Sequence, residues 1–521
     1  PVSAFKDYVD GTTPSGSSAY EKRGIAVDIP VWKPENCIQC NRCAYVCPHA
    51  VIRPVALTEE EAANAPEGMT TLPMTGMKDY KFAITVSAYD CTGCGSCANV
   101  CPGKKGAKAL AMENMEANAD SQKFFDYGVE LPVKEDVVAK FKETTVKGSQ
   151  FKQPLLEFSG ACAGCGETPY AKLITQLFGD RMYIANATGC SSIWGNSSPS
   201  TPYTVNAKGQ GPAWSNSLFE DNAEFGYGML LAQKAIRDGL KEKVEDLVAN
   251  AENEDVKAAG QEWLDTFSVG ATNGIATDKL VAALEACGCE KAQEILAQKD
   301  FLSKKSQWIF GGDGWAYDIG FGGVDHVLAS GRDINVMVFD TEVYSNTGGQ
   351  SSKSTPTGAI AQFAAGGKET KKKDMASIAM SYGYVYVAQI SMGADFNQTV
   401  KAIAEAEAYP GPSLIIAYAP CINHGIKKGM AKAQTEEELA VKVGYWHNFR
   451  FNPAAEGNKF SLDSKAPSME DYQAFLDGEV RYNSLKRQNP EKAARLFAKN
   501  EAEAKARFEY LQKLIALHSA E

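Results

Sequence analysis

Eight cysteines of the sequence stand in two runs with the same spacing. The first run is Cys37-x2-Cys40-x2-Cys43-x3-Cys47-Pro48, and the second is Cys91-x2-Cys94-x2-Cys97-x3-Cys101-Pro102. Thiolates at the x2 spacings can converge on one face of an iron–sulfur cubane from a tight loop, and the proline then turns the chain away. The spacing therefore predicts two 4Fe–4S clusters.

In bacterial ferredoxins with this spacing, the fourth cysteine of each run binds the cluster of the other run. We therefore predict one cluster on Cys37, Cys40, Cys43 and Cys101, and a second on Cys91, Cys94, Cys97 and Cys47. Zinc is the alternative, because paired Cys-x2-Cys motifs also bind zinc. Two four-cysteine runs that both close in Cys-Pro favour iron–sulfur clusters, and a chain of 521 residues without an export signal disfavours a disulfide framework.

The remaining cysteines are Cys162, Cys165, Cys190, Cys287, Cys289 and Cys421. Cys162-Ala163-Gly164-Cys165-Gly166 is a glycine-rich loop that suits a cluster or a metal. Cys190 and Cys421 each follow a strand-like apolar run, and each taken alone is typical of a core cysteine. Spacing does not bring these two to Cys162 and Cys165. Cys287 and Cys289 are predicted to be plain thiols at a helix end.

Two further apolar runs end in residues that suit a diphosphate and a hard cation. Residues 306–310 lead into Gly311-Gly312-Asp313-Gly314, and residues 334–339 lead into Asp340-Thr341-Glu342-Val343. A carboxylate from Asp313, a hydroxyl from Thr341 and the carbonyl of Val343 are ligands that Mg²⁺ accepts, and glycines let backbone N–H groups approach a diphosphate. A lone Gly-Asp-Gly also fits an ordinary strand-to-helix turn. The second loop at this distance favours the thiamine-diphosphate fingerprint, with Thr341 in place of the usual first Asn and Asn346 further on.

Together these motifs resemble the C-terminal half of the pyruvate:ferredoxin (flavodoxin) oxidoreductases, and the resemblance covers essentially the whole chain. It implies a third 4Fe–4S cluster, on Cys162, Cys165, Cys190 and Cys421, and Mg²⁺ on Asp313, Thr341 and the Val343 carbonyl. The implied thiamine-diphosphate contacts are Glu167, Cys190, Phe219, Asp313, Gly314, Trp315, Ala316, Thr341, Glu342, Val343, Tyr344, Ser345 and Asn346. Phe219 resembles the aromatic residue that packs on the thiamine rings, with a core Phe as the alternative, and Asn346 is the candidate on the substrate side.

The resemblance implies oxidative decarboxylation of pyruvate with coenzyme A to acetyl-CoA and carbon dioxide. Electrons would pass from thiamine diphosphate through three clusters to ferredoxin or flavodoxin. The full enzyme is expected to be a cytoplasmic homodimer of anaerobic metabolism. Its N-terminal half would supply the activating Glu and most substrate contacts, so this chain is not expected to turn over pyruvate by itself. No residue of this chain is assigned a certain catalytic role, and the histidines are predicted to be structural: His49, His326, His424, His447 and His518.

The elements that must position these residues alternate between strand and helix patterns. This predicts an α/β thiamine-diphosphate domain with a parallel sheet over residues 156–445. An α+β ferredoxin-like domain with two clusters is predicted at 34–125, after a connector at 1–33 and before a linker at 126–155. A helical tail is predicted at 446–521, and helices at 221–300 are expected to pack on a face of the sheet.

Composition excludes several classes of protein. Lys plus Arg number 53 against 64 Asp plus Glu, a net charge of −11, whereas binding nucleic acid requires a basic surface. No apolar run approaches the roughly 20 residues of a membrane-spanning helix, and the N-terminus lacks a signal pattern. The absence of an initiator Met before Pro1 predicts a processed chain or one piece of a longer polypeptide.

Two alternatives remain open from the sequence. The first keeps the chemistry and changes the 2-oxo acid to indolepyruvate or 2-oxoglutarate, since spacing says nothing about the side-chain pocket. The second is a non-catalytic electron-transfer module, in which the α/β domain is inert. The oxygen ligands at diphosphate-site spacing argue against the second.

Overall fold

The computed structural model describes residues 2–518. Its strands are β1 Asp28–Trp32, β2 Ile52–Leu57, β3 Leu72–Pro73, β4 Lys81–Val86, β5 Leu110–Asn114, β6 Met182–Ala187, β7 Ala213–Ser217, β8 Ser306–Gly312, β9 Ile334–Asp340, β10 Tyr386–Ile390, β11 Pro412–Tyr418, β12 Phe449–Phe451 and β13 Phe460–Leu462. Its helices are α1 Arg42–Tyr45, α2 Glu59–Ala63, α3 Ser96–Val100, α4 Met115–Asn118, α5 Gln122–Glu130, α6 Glu135–Phe141, α7 Val146–Ser149, α8 Thr168–Phe178, α9 Cys190–Ser192, α10 Asn222–Asn250, α11 Glu254–Thr266, α12 Gly270–Cys287, α13 Glu290–Leu296, α14 Phe321–Ala329, α15 Met375–Met380, α16 Phe396–Ala408, α17 Ala433–Lys442, α18 Tyr472–Asp477, α19 Val480–Gln488 and α20 Pro490–Leu517.

An eight-stranded sheet forms the centre of the larger part of the chain. Its strand order is β13-β12-β10-β11-β9-β8-β6-β7. The six strands from β10 to β7 run parallel, and β12 and β13 add antiparallel pairs at one edge. Alternate residues of β9 enter two different cores, with Val336 and Val338 on one face and Met337 and Phe339 on the other. This is the pattern of a parallel sheet that is covered on both faces.

The ferredoxin-like region contains two small antiparallel sheets. Strands β1 and β5 pair with each other, and β2, β4 and β3 form the second sheet. Strand β1 lies within the segment predicted to be a connector, and β3 lies between the two cysteine runs. The short helices α1 and α3 each carry one cysteine, Cys43 and Cys97 respectively, and pack against each other.

Helices surround the large sheet. The long α10 packs on β6 and β8, and α10 to α13 enclose a core of their own around Trp263. The tail contributes β12 and β13 to the sheet edge before α18, α19 and α20 pack on its face. Helix α20 begins at Pro490, where Asn489 accepts a 3.0 Å hydrogen bond from the Lys492 amide, as expected at an N-cap. In residues 2–518, no helix combines the length and the apolar character needed to cross a membrane.

Candidate functional site

Four neighbouring parallel strands carry predicted site residues at their carboxyl ends. In the sheet, β11, β9, β8 and β6 lie next to one another and run parallel. The residues that follow these strands are Cys421, Thr341, Asp313 and Cys190, respectively. Because the carboxyl ends of parallel strands share one edge, residues that are far apart in sequence meet there. This edge is where open α/β sheets bind their ligands.

Asp313, Thr341 and Val343 converge through three oxygen atoms. The Thr341 Oγ1 atom lies 3.0 Å from Asp313 Oδ1 and 3.0 Å from the carbonyl oxygen of Val343. Asp313 is fully buried, and burial together with the neighbouring Asp340 raises the pKa of its carboxyl well above the usual range. A carboxylate, a hydroxyl and a carbonyl are hard donors that suit Mg²⁺, and a cation would offset the cost of the buried charge. The donor set therefore fits Mg²⁺ with a diphosphate.

Gly314 allows the two loops to come close together. A Cβ atom at this position would lie 2.4 Å from the Tyr344 ring. Gly314 opens a π-helical turn, Gly314–Ile319, in which Trp315 and Ala316 are fully buried. Only glycine fits this position without displacing Tyr344, so the backbone of the turn lies directly against the 341–346 loop.

Two cationic side chains that belong to no sequence motif lie behind this loop. Lys372 lies 2.8 Å from Asp340 and 3.0 Å from Glu342, and Arg481 of α19 lies 2.8 Å from Glu342. Burial alone would raise the pKa of Glu342, but Lys372 and Arg481 outweigh it and lower that pKa to about 2. The Glu342 carboxylate therefore faces Lys372 and Arg481, and a contact of this residue with the cofactor stays a prediction.

Two shorter contacts complete the support of the oxygen ligands. Ser352 donates a 2.6 Å hydrogen bond to Asp313 Oδ2, and His424 Nε2 lies 2.7 Å from the Thr341 carbonyl oxygen. Burial lowers the pKa of His424 to about 3, and Arg481 contributes to the decrease. Neither residue belongs to a motif, so spacing gave no signal for them.

The structure places Cys165, Cys190 and Cys421 around Glu167, and Cys162 beside Cys421. Burial and the nearby Glu167 raise the pKa values of Cys165 and Cys190, and the charge of Cys421 adds to the rise in both. Burial raises the pKa of Cys421 to about 11, with smaller contributions from Glu167 and Cys162. The Cys162–Cys165 loop packs so closely on the residue before Cys421 that the Gly166 amide donates to the Pro420 carbonyl at 3.2 Å. Four thiols at one place fit a 4Fe–4S cluster.

Glu167 is buried beside these thiols. Trp194 Nε1 donates a 2.7 Å hydrogen bond to Glu167 Oε2. Burial raises the pKa of Glu167 to about 7, against the opposing effect of Trp194. This carboxyl therefore titrates near neutral pH beside the thiols.

The thiols and the oxygen ligands touch through Ser345. Its Oγ lies 3.1 Å from Cys190 Sγ, and its carbonyl accepts a 3.3 Å hydrogen bond from the Asn423 side chain, two residues after Cys421. The 341–346 loop, which carries Thr341, thus contacts Cys190 and the segment that follows Cys421. Phe219 is half-buried at the same place, with its ring centroid 6.0 Å from that of Tyr344.

Asn346, the substrate-side candidate, lies on the exposed part of the 341–346 loop. It thus shares the loop with Thr341, but it is on the solvent side. Cys287 and Cys289 lie away from these groups, at the end of α12.

The eight cysteines of the two runs line two cavities in the ferredoxin-like region. One cavity is lined by Cys37, Cys40, Cys43 and Cys101. The other is lined by Cys47, Cys91, Cys94 and Cys97. The grouping is the one in which the last cysteine of each run crosses to the other set.

Backbone amides point at several of these sulfur atoms. The amides of Gln39, Gly93 and Ala109 donate to Cys37, Cys91 and Cys101 at 3.3–3.4 Å. Burial raises the pKa of Cys91 to about 12, and the Gly93 amide opposes the rise. Amide hydrogen bonds to cysteine sulfurs are among the features that set the potential of iron–sulfur clusters. The thiol sets therefore fit 4Fe–4S clusters.

The three thiol sets follow one another through the molecule. Burial raises the pKa of Cys94, and backbone hydrogen bonds from Ser96 and Gly164 oppose this rise. Gly164 belongs to the Cys162–Cys165 loop, so the second set adjoins the third. Burial and neighbouring thiols, including Cys43 of the first set, raise the pKa of Cys97. The second set therefore lies between the other two.

Models of known families match three parts of the chain. The C-terminal TPP binding domain of thiamine pyrophosphate enzymes matches residues 270–417, and a 4Fe-4S dicluster domain matches residues 36–105. A domain of unknown function matches residues 1–26. The chain thus contains a thiamine-diphosphate-binding domain and an iron–sulfur domain.

Several curated proteins are similar over nearly the whole chain. Pyruvate-flavodoxin oxidoreductase from Enterobacter agglomerans is 58% identical over 99% of this chain, and that from Klebsiella pneumoniae is 55% identical over 99%. Pyruvate:ferredoxin oxidoreductase from Moorella thermoacetica is 57% identical over 99%. This chain spans 44% of the length of each of these relatives. A solved 2-oxoglutarate:ferredoxin oxidoreductase from Magnetococcus marinus gives a TM-score of 0.31 at 16% identity, over 63% of this chain and 90% of that one, a likeness from which nothing is inferred.

Proposed function

Since this chain matches a portion of the pyruvate-flavodoxin and pyruvate:ferredoxin oxidoreductases along nearly its whole length, we propose that it is the C-terminal part of such an enzyme. The complete enzyme would convert pyruvate and coenzyme A to acetyl-CoA and carbon dioxide and deliver the electrons to ferredoxin or flavodoxin. One observation carries the proposal. The loop with the Mg²⁺-type oxygen ligands touches a four-thiol site directly, with Ser345 Oγ 3.1 Å from Cys190 Sγ.

The cofactors would be held by three groups of residues. Asp313, Thr341 and the Val343 carbonyl would hold Mg²⁺ and, through it, the diphosphate of thiamine diphosphate. The three thiol sets described above would hold three 4Fe–4S clusters. When bound, thiamine diphosphate supplies the electron sink for decarboxylation, and the clusters supply one-electron carriers.

The residues of this chain bind, orient and shield these groups. The buried Asp313 is fixed by hydrogen bonds from Thr341 and Ser352, so its carboxylate is oriented before any ligand arrives. Gly314 lets the backbone of its turn lie directly against the 341–346 loop. Glu167, buried and hydrogen-bonded to Trp194, takes up or releases a proton near neutral pH beside Cys190. The order of the thiol sets supports a route for electrons from the sheet edge to the ferredoxin-like region.

The partners form part of the same proposal. The names of the relatives support pyruvate as substrate and ferredoxin or flavodoxin as electron acceptor. Three further proposals rest on the sequence resemblance: that coenzyme A is a substrate, that an N-terminal part completes the active site, and that the enzyme is a homodimer. The number of clusters and the choice of Mg²⁺ rest on the thiol sets and on the oxygen donors.

Replacing Asp313 tests the diphosphate site. The Asp313→Asn variant is expected to bind thiamine diphosphate with Mg²⁺ at least about tenfold to hundredfold more weakly, because it loses the charge that holds the ion. Calorimetry on the anaerobically prepared chain measures this. Asp325→Asn in α14, which accepts from Tyr382, is the matched control, and thiamine without its diphosphate is the control ligand. Equal affinity in the two variants, or no binding to the unmodified chain, would contradict the proposal.

Replacing Cys421 tests the third cluster separately. The unmodified chain is expected to bind about twelve iron and about twelve sulfide ions, corresponding to three cubane clusters. Cys421→Ala is expected to lower both to about eight, because only the ferredoxin-like sets keep four thiols. Cys287→Ala is the matched control and should retain the full content. About eight irons in the unmodified chain would show that the third set holds no cluster.

A further inference from the structure

Two cysteines outside the proposed cofactor sites lie side by side at the surface of the helical layer. Cys287 is the last residue of α12, and Cys289 immediately precedes α13. Their sulfur atoms are 2.9 Å apart in a thiol–thiol hydrogen bond. Cys289 is exposed and Cys287 is half-buried. The chain therefore presents a close pair of accessible thiols.

The backbone between them explains why the side chains meet. Gly288 has a φ of +63°, in the left-handed region, and its amide donates to the Leu284 carbonyl at 3.1 Å to close the helix. This conformation favours glycine and reverses the chain direction at a helix end. Two residues separated by one other span at most about 7 Å, and disulfides need Cα separations of about 4.4–6.8 Å. A disulfide bond between the two sulfurs therefore requires little movement of the backbone around Gly288.

The two thiols differ in their surroundings. The hydrogen bond from Cys287 lowers the pKa of Cys289, as do the Ala292 amide and, to a smaller extent, Lys291. The same bond raises the pKa of Cys287. The thiolate is the attacking form of a cysteine, so Cys289 is the more reactive of the two. Cys287 is placed to attack the mixed disulfide that forms on Cys289.

We propose that Cys287 and Cys289 form a redox-active dithiol that exchanges with low-molecular-weight disulfides such as oxidised glutathione. The Cys289 thiolate attacks one sulfur of the disulfide, forms a mixed disulfide and releases one small thiolate, which takes up the proton of Cys287. The Cys287 thiolate then attacks the Cys289 sulfur, closes the internal disulfide and releases the second small thiolate, which is protonated by solvent. The chain gives up two electrons and two protons, and the small disulfide is reduced to two thiols. The site is independent of the proposed function.

Peptide mapping of the full chain tests this assignment. Trypsin releases both cysteines in one peptide, residues 280–291, which contains no other cysteine. The cluster-loaded chain is reduced, desalted, incubated with excess oxidised glutathione without oxygen, blocked with N-ethylmaleimide and digested. We expect this peptide to carry no maleimide and no glutathione and to have lost two hydrogen atoms. Treatment with dithiothreitol before blocking should restore two maleimide groups, and the visible absorbance should show that the clusters stay intact.

Single variants separate the two roles. Cys287→Ser is expected to retain glutathione on Cys289, because the resolving thiol is missing, and Cys289→Ser is expected to react more slowly and to keep a maleimide on Cys287. Both positions are at the surface, so these serine variants should fold. Two maleimide groups on the treated wild-type peptide would overturn the proposal. So would glutathione that stays attached to this peptide, or a disulfide-linked dimer of chains on a non-reducing gel.

Discussion

Replacing Arg481 by Met is expected to loosen the loop that carries Thr341 and Val343. Arg481 is 3% exposed, and its guanidinium lies 2.8 Å from Glu342 and 2.6 Å from Glu479. Glu342 has a φ of +61°, and the left-handed region costs a non-glycine residue on the order of 1–3 kcal/mol. The ion pair from the tail therefore holds a strained residue in the middle of the loop. Methionine keeps much of the apolar volume and removes the charge.

The size of the effect follows from the partners that remain. Removal of one partner of a buried ion pair costs about 3–5 kcal/mol. Glu342 would keep Lys372 at 3.0 Å, whereas Glu479 would lose the cation that it contacts. Burial raises the pKa of Glu479 to about 7 against the opposing effect of Arg481, so in the variant this group titrates above pH 7. A carboxyl with a raised native pKa loses its contribution to stability as pH rises through that pKa. The free-energy cost of the substitution should therefore be about 3 kcal/mol at pH 6 and about 5 kcal/mol at pH 9.

The assay is the rate of amide hydrogen exchange in the 341–346 loop, measured by mass spectrometry. The amides of Thr341, Glu342 and Tyr344 donate to Asp313 Oδ1, Asp340 Oδ1 and the Gln350 carbonyl at 3.1, 3.1 and 2.9 Å. At about 1.4 kcal/mol per tenfold change, a cost of about 3 kcal/mol corresponds to roughly 150-fold faster exchange at these amides.

Two further variants make the result decisive. Arg487→Met, an exposed arginine of the same helix α19, is the matched control and should leave the exchange unchanged. The double variant Arg481→Met with Glu479→Gln should recover part of the loss at pH 9, because no unpaired carboxylate remains. The reasoning is refuted if Arg481→Met and Arg487→Met exchange alike, or if the double variant behaves as the single one does at pH 9.

Two other perturbations concern buried charges near the thiol sets. Lys172 of α8 is 1% exposed and donates to the carbonyls of Ala44 and Tyr45 in the ferredoxin-like region. Lys172→Met should cost about 2–6 kcal/mol, because it leaves two buried carbonyls without a donor and each costs about 1–3 kcal/mol. It should therefore lower the temperature at which cluster absorbance is lost. An unchanged temperature, as expected for the exposed Lys401→Met, would contradict this. Burial raises the pKa of Glu437 to about 8, so its contribution to stability is full below the unfolded value near 4.5 and declines as pH rises through about 8. The melting temperature of Glu437→Gln, measured relative to that of the unmodified chain, should therefore rise from pH 6 to pH 9. A temperature difference between the two proteins that does not change with pH would show that this carboxyl does not ionise in the folded protein.

Local spacing was sufficient for three thiols of each ferredoxin-like set and for the strand ends. The x2 spacings fix which three sulfurs of a run can reach a common point, because so few bonds separate them, whereas the crossing of the fourth cysteine to the other run follows the known pattern of bacterial ferredoxins. An apolar run followed by Gly-Asp-Gly likewise predicts a strand and the turn after it. The sequence therefore predicted the parallel-sheet class and the residues Asp313 and Thr341.

Tertiary structure decided what surrounds these residues. Cys190 and Cys421 are brought together because β6 and β11 run parallel, separated in the sheet only by β8 and β9, and no pattern within either segment encodes that strand order. Lys372 and Arg481 belong to no motif, and they became part of the site only because the chain folds their charges into the interior beside Glu342. Spacing along the chain specifies contacts across a few bonds. Contacts between distant segments depend on which strands pair and which faces are buried, and those result from packing of the whole chain.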